Sequence, residues 1–327
     1  MAGVLWKLEP ATAAKHRLYK RYLDAWWPKM LQPTAEGYRR PRVTYVDAFA
    51  GPGRYLRGEE GSPVFVLDRL LHHRAADRML LTRDRVKLIF VEKDKARFEH
   101  LQGELTARFG DLAALPVTVV LRRGEAAALT LQLLGETGAW EHPILAVFDS
   151  WGNVNVPLNP VIAQIARNPS SEVVVTFGPN WFNRRESEDP DQFDAVFGGR
   201  RFWQEASQGD RPSDRWQTWL NAYRSALRRA GFTFQLQFKV VPGSGQPLYL
   251  VFGTKHRSGV EARSSMSSMR SSKPARMAMK LSTRASTNRW VSQMGSSADL
   301  VPASYLRRTA DTAGIVSRWM VTRKRSE

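Results

Sequence analysis

Apolar positions recur at helical spacing from Thr12 to Leu31, where Leu18, Tyr22, Leu23, Trp26 and Trp27 fall on one side. Thr12 is the expected cap of this helix, and Pro33 and Gly37 break the chain after it. The pattern then shortens to continuous apolar runs that each stop at a polar residue. Arg42 to Phe49, Val86 to Val91, Val117 to Leu121, Ile144 to Phe148 and Glu172 to Phe177 read as strands. Between them lie amphipathic or capped stretches that predict helices: 62–72 with Ser62 as cap and Pro63 in the first turn, 94–109, 125–134 and 160–167. A further helix is predicted over 213–230. The pair Phe234 to Lys239 and Leu248 to Phe252, separated by a Gly/Pro turn, reads as a β-hairpin.

Short apolar strands alternating with helices predict an α/β domain built on a mostly parallel sheet with helices on both faces. Five such strands closed by an antiparallel C-terminal β-hairpin is the element order of the Rossmann-like class I methyltransferases, which use S-adenosylmethionine (SAM). This domain is expected to span 1–256, with helix 12–31 ahead of the sheet and a Trp/Arg-rich insertion at about 181–219.

Composition adds a second region. The chain has 327 residues and a net charge of +18. From Lys255 to the end there are 15 Lys and Arg against 4 Asp and Glu, a net of +11, which leaves +7 for the first 254 residues. Residues 258–297 hold twelve serines. Residues 257–327 are therefore expected to be a basic, poorly ordered extension. A solvated tail, an arm for phosphate backbones and a shifted reading frame all fit that composition. The absence of cysteine removes disulfides, thiolate metal sites and cysteine nucleophiles, and fits a reducing compartment. Six histidines without HxH or HExxH spacing predict no metal site. No apolar run long enough for a signal peptide or a membrane span occurs, which predicts a cytoplasmic protein with no membrane contact.

The candidate chemistry lies at strand ends, where doubly wound sheets bind ligands. Asp47-Ala48-Phe49-Ala50-Gly51-Pro52-Gly53 has the form acid-x-aromatic-x-Gly-x-Gly, with two glycines that let backbone approach a ligand. Asp47 suits the cationic methionine end of SAM. Glu92, followed by Lys93 at the end of the second strand, suits the two ribose hydroxyls. A dinucleotide site would want a third glycine where Leu56 stands. Glu125 suits the adenine amine, or equally the dipole of the helix it opens. Asp149 and Trp151 in Asp149-Ser150-Trp151-Gly152 are the catalytic candidates on the substrate side, an acceptor to orient a target amine and a ring to stack on it. Trp181, Trp203, Trp216 and Trp219 interleave with arginines in a pattern that suits nucleic acid, although Trp216, Trp219, Leu220 and Tyr223 are also spaced as a helix core. His16 and His256 read as surface or packing residues.

The segments LEPATAAKHRLYKRYLDAWWP, VTYVDAFAGPGRYLRGEEGSP and LIFVEKDKARFEHL resemble the three-Cys-motif partner protein family (TcmP). LAVFDSWG resembles that family's strand-four motif, aspartate-proline-phenylalanine-glycine, with Ser150-Trp151 in place of its proline and phenylalanine. YLVFGTKHRSGVE resembles its closing strand. The likeness runs from about residue 5 to 261; beyond it the family continues with an amphipathic helix, where this chain becomes Ser/Arg/Met-rich. The resemblance implies a methyltransferase-like fold and a separate cysteine-motif partner protein encoded nearby, while SAM as cofactor rests on the Asp47–Gly53 segment and Glu92. It does not fix a reaction. The expected function is therefore a SAM-dependent methyltransferase of open substrate, with a non-catalytic adaptor that binds its partner protein or nucleic acid as the alternative.

Overall fold

The computed structural model of the chain describes residues 3–207 and 212–256. The extension at 257–327 lies outside the described residues. The first helix, α1, is Pro10–Leu31; β1 is Val43–Asp47, α2 Ser62–Leu71, α3 Ala76–Met79, β2 Val86–Glu92 and α4 Lys95–Phe109. The chain continues through β3 (Thr118–Arg123), α5 (Ala126–Glu136), β4 (Ile144–Phe148), α6 (Ala163–Arg167) and β5 (Glu172–Phe177). The predicted insertion contributes α7 (Pro179–Arg185) and α8 (Pro190–Phe197), followed by α9 (Pro212–Ala230), β6 (Phe234–Val240) and β7 (Leu248–Thr254).

The seven strands form one sheet in the order β3-β2-β1-β4-β5-β7-β6. β1 pairs in parallel with both β2 and β4, β4 with β5, and β2 with β3. β7 runs antiparallel to β5 and β6, so the predicted hairpin is inserted with its second strand inward. Alternate residues of each strand face opposite layers. Val43, Tyr45, Leu88, Phe90, Val147 and Val174 pack under α1, α2 and α4. Val46, Ile89, Ala146, Phe148, Val175 and Phe177 pack under α5 to α9. Nearly all of β1, β2, β4 and β5 is buried, which is why their sequences read as continuous apolar runs rather than alternating ones.

Two predicted caps are corrected. α1 begins at Pro10 with Glu9 before it, so Thr12 lies inside the helix. A proline has its φ preset for the first helical position and no N–H to leave unpaired there. Likewise Gly61, not Ser62, precedes α2, and Ser62-Pro63 open the helix. α4 starts where Asp94 accepts from the Arg97 amide at 2.9 Å, immediately after β2.

α1 is fixed by its aromatic side. Trp26 and Trp27 pack edge to face at 4.7 Å, and Trp27 meets Tyr45 of β1 at 6.1 Å. The Tyr22 hydroxyl donates to Glu172 at the start of β5. Arg85, itself buried, donates to the Leu31 carbonyl at 2.6 Å and closes the end of the helix. Among the described residues, no helix is long and apolar enough to cross a membrane. Trp27 is fully buried, so Trp27→Ala should cost about 3–5 kcal/mol of stability. Urea denaturation measures it; a loss below about 1 kcal/mol would show that α1 is not anchored as described.

Candidate functional site

Strand alternation determines what gathers at the carboxyl ends. Asp47 shares its side with Val43 and Tyr45, and Glu92 with Leu88 and Phe90. Asp149 and Thr176 follow Val147 and Val174 in the same way. All four therefore point to the layer of α1 and α2, around the ends of β1, β2, β4 and β5. β1 has β2 on one side and β4 on the other, so its end is the reversal point of the strand order, where a crevice opens.

The loop after β1 crosses that crevice. Ala48 still bonds to β4 through the Val147 carbonyl at 3.0 Å, whereas Ala50 bonds to β2 through the Val91 carbonyl at 2.9 Å. Gly51 and Gly53 take φ of +66° and +80°, values that favour glycine. The Gly51 amide donates to Glu92 Oε2 at 2.9 Å, and the Asp94 amide to Oε1 at 2.8 Å. Glu92 thus fastens the glycine loop to β2, and each oxygen keeps a lone pair for a further donor. The loop closes on itself where the Gly61 amide donates to the Gly53 carbonyl at 2.7 Å. A Cβ on Gly61 would lie 2.7 Å from the Gly53 carbonyl carbon, so Gly61 belongs to the loop as firmly as the two expected glycines. Glu60 accepts from Lys20 at 3.1 Å and Arg108 at 2.8 Å, which ties the loop to α1 and α4.

The carboxylates in the crevice are held in opposite ways. Asp47 is 1% exposed; its Oδ1 accepts from the Phe49 amide at 3.1 Å, and its buried Oδ2 has no partner in hydrogen-bonding geometry. Burial pushes its carboxyl up to about 6; the Ser62 hydroxyl and Phe49 amide oppose this, and the Asp149 and Glu92 charges add to it. Burial also works to raise Asp149, but the Lys15 ammonium 2.6 Å away, the Thr176 hydroxyl and His16 together hold it below its usual range. The Tyr19 hydroxyl donates to Asp149 Oδ2 at 3.2 Å, and burial with the nearby Asp149 and Asp47 charges keeps that phenol protonated. His16 packs between Tyr55 at 5.6 Å and Phe65 at 5.0 Å. Burial drives its imidazole down to about 4 against the pull of Asp149. It is the packing residue expected, although not a surface one. Spacing marks Lys15, Tyr19 and Thr176 only as positions on α1 and β5, and Tyr55 sits in the irregular loop after β1, so the sequence pattern does not distinguish them.

The remaining candidates spread around the same end. Ala50 and Pro52 are buried in the loop, and Phe49 packs against the core. Lys93 and Glu125 pair with each other at 2.5 Å, both well exposed, beyond β2 and β3. Trp151 is 77% exposed at the end of β4, and its ring meets Trp6 at 6.0 Å. Trp6 precedes the first helix and carries no periodic signal. Its carbonyl accepts from the Leu56 amide at 3.0 Å, its ring meets Tyr55 at 5.9 Å, and Arg97 lies over it at 4.8 Å. The segment ahead of α1 therefore walls the crevice.

Trp203 and Trp219 of the insertion do not offer their rings to a ligand. Trp203 and Trp219 are buried and join Phe182, Phe193, Phe197 and Tyr223 in one aromatic cluster. Trp203 donates to Asp194 at 2.7 Å. Trp181 is half-buried against Phe182 and Phe193. Rings packed on both faces cannot stack on bases.

The strand order with an inward antiparallel β7, and a crevice lined by an acid and a glycine loop at its reversal point, define a class I methyltransferase-like fold. No protein-family model matches the chain, and no curated protein matches it. Among solved structures it is similar to a provisionally assigned O-methyltransferase from Klebsiella pneumoniae (12% identity, 73% of this chain and 80% of that one, TM-score 0.37). It is also similar to an arsenic(III) S-adenosylmethionine methyltransferase from Chlamydomonas reinhardtii (11%, 75% and 72%, TM-score 0.31). A third is a geranyl diphosphate methyltransferase in complex with its diphosphate and sinefungin (14%, 71% and 77%, TM-score 0.29). At these values the likenesses carry no functional weight.

The raised Asp47 carboxyl makes a signed prediction. Its folded pKa lies above the unfolded value of 3.8, so its contribution favours folding below about pH 4 and is lost as pH rises through about 6. Asp47→Asn removes that loss. The variant should be more stable than the parent at pH 7, by roughly 1–3 kcal/mol, and show no such advantage at pH 4. Calorimetric melting at both pH values checks this; an equal difference at the two would refute the burial of an unsatisfied charge at Asp47.

Proposed function

We propose that the protein is a SAM-dependent methyltransferase. The observation that carries the reading is the buried Asp47 oxygen without a partner, beside a glycine loop fastened by Glu92, at the reversal point of the sheet. These residues fit SAM: a carboxylate for its ammonium, a second for its ribose hydroxyls, and backbone in glycine conformations against which it lies. SAM, when bound, supplies a methyl group activated on a sulfonium.

The chain's own residues then orient. Asp47 accepts from the ammonium and Glu92 from the ribose, while Gly51 to Gly53 bring backbone close. Lys93 and Glu125 flank the adenine side. Trp151 gives an exposed ring for a planar acceptor, with Trp6 behind it. Asp149, held anionic by Lys15, accepts a hydrogen bond from the acceptor and does not take its proton at neutral pH. Methyl transfer depends on in-line placement, so a dedicated base is not required.

The resemblance to the TcmP family supports a cysteine-motif protein as partner, since this chain has no cysteine of its own. One observation favours the adaptor reading instead: Lys15, Thr176 and Tyr19 already occupy Asp149. Transfer of labelled methyl from SAM in the presence of the partner separates the two.

Calorimetric titration of the full chain with SAM, S-adenosylhomocysteine and NAD tests the cofactor. Both adenosyl compounds should bind and NAD should not. Asp47→Ala and Glu92→Ala should each weaken binding by about tenfold or more, and Trp151→Ala should leave it unchanged. A folded chain that binds NAD, or neither adenosyl compound, would sink the reading.

A further inference from the structure

Lys15 is 8% exposed, yet its ammonium has a single hydrogen-bond partner among the described residues, Asp149 at 2.6 Å. An ammonium carries three N–H donors, and leaving two unused in a buried place is costly. Asp47 presents the opposite deficit, a buried carboxylate whose Oδ2 has no donor in hydrogen-bonding geometry and whose neighbours Ser62 and Phe49 are uncharged. Lys15 reaches across from α1 to Asp149 beyond β4, and Asp47 ends β1, the strand next to it. Asp47 is in register with Val147, two residues before Asp149, and the charges of Asp47 and Asp149 both act on the Tyr19 phenol. The crevice thus holds an incompletely used cation and an incompletely used anion around one buried tyrosine.

A bare amine would complete Asp47 and leave Lys15 as it is. A bare carboxylate would do the reverse and add charge beside Asp149. An α-amino acid group supplies both partners at once, its ammonium and carboxylate about 3 Å apart, and adds no net charge. We propose that Lys15 and Asp47 form the subsite for the amino-acid end of the cofactor, with Lys15 binding its carboxylate and Asp47 its ammonium. This rests on the cofactor reading above and assigns α1 a part in it. Tyr19 and Thr176, by holding Asp149, position Lys15 from the far side. Lys15 also joins α1 to β4, so a merely structural role has to be told apart from binding.

The test pairs a ligand change with a residue change. SAM and decarboxylated SAM differ in the one carboxylate. The parent chain should bind SAM about tenfold or more tightly than decarboxylated SAM. Lys15→Met should bring the two affinities within about twofold of each other, chiefly by weakening SAM. Equal binding of the two by the parent, or a full preference kept by Lys15→Met, would overturn the subsite. A structural role alone would weaken both ligands alike and keep the preference. If Lys15→Met does not fold, the parent comparison decides by itself, and Lys15→Arg should retain the preference. A parent that binds neither compound, nor 5′-methylthioadenosine, which lacks the whole amino-acid end, fails the cofactor reading. Binding of 5′-methylthioadenosine without preference between the other two fails the subsite alone.

Discussion

The carboxyl end of β1 lies between β2 and β4, so the backbone beyond Asp47 must pass from one neighbour to the other. The chain resolves this by a stepwise transfer: Ala48 bonds to β4, Ala50 to β2, and Gly51 to the Glu92 side chain. Each step needs backbone close to backbone. Gly51 and Gly53 serve it through positive φ, and the close approach itself falls at Gly61, where an added Cβ would meet the Gly53 backbone at 2.7 Å. α2 starts at the next residue, so the helix that covers this face depends on the same close approach.

Placing acids at that end burdens the fold with buried charge, and α1 decides how the burden is shared. Asp149 receives Lys15, Thr176 and Tyr19 and is comfortable as an anion. Asp47 has the Phe49 amide and the Ser62 hydroxyl but, among the described residues, no cation beside it, and burial outweighs them. The two carboxyls are thus pushed apart in pKa, which is the division of charge that the proposed cofactor site would use. A structure optimised for stability alone would have placed an amide or an apolar residue at 47.

The aromatic residues divide between core and rim in a way that charge pattern does not reveal. Phe182, Phe193, Phe197, Trp203, Trp219 and Tyr223 bury one another and build the layer over β4 and β5. Arginines near them lie over rings, as Arg229 does over Phe202 at 3.6 Å, so part of the basic character of this segment is spent on cation–π packing. Trp151 and Trp6 are the rings left at the rim of the crevice.

By itself the sequence determined the strand series, the helices between and the terminal hairpin, because strands buried on both faces leave uninterrupted apolar runs. It also determined that Asp47, Glu92 and Asp149 end those strands, since a polar residue closing an apolar run marks the carboxyl edge. It misplaced the caps of α1 and α2, by three residues and by one, where proline geometry outweighed the hydroxyl caps. Tertiary structure alone decided that Lys15, Tyr19 and Thr176 meet Asp149, contacts spanning up to 134 residues of chain. It alone decided that Trp6 walls the crevice and that Gly61 touches Gly53. Periodicity reports which side of an element is apolar; it carries no record of which distant element will cover that side. The charge state of a carboxylate depends on that cover, so the difference between Asp47 and Asp149 exists only in the folded chain.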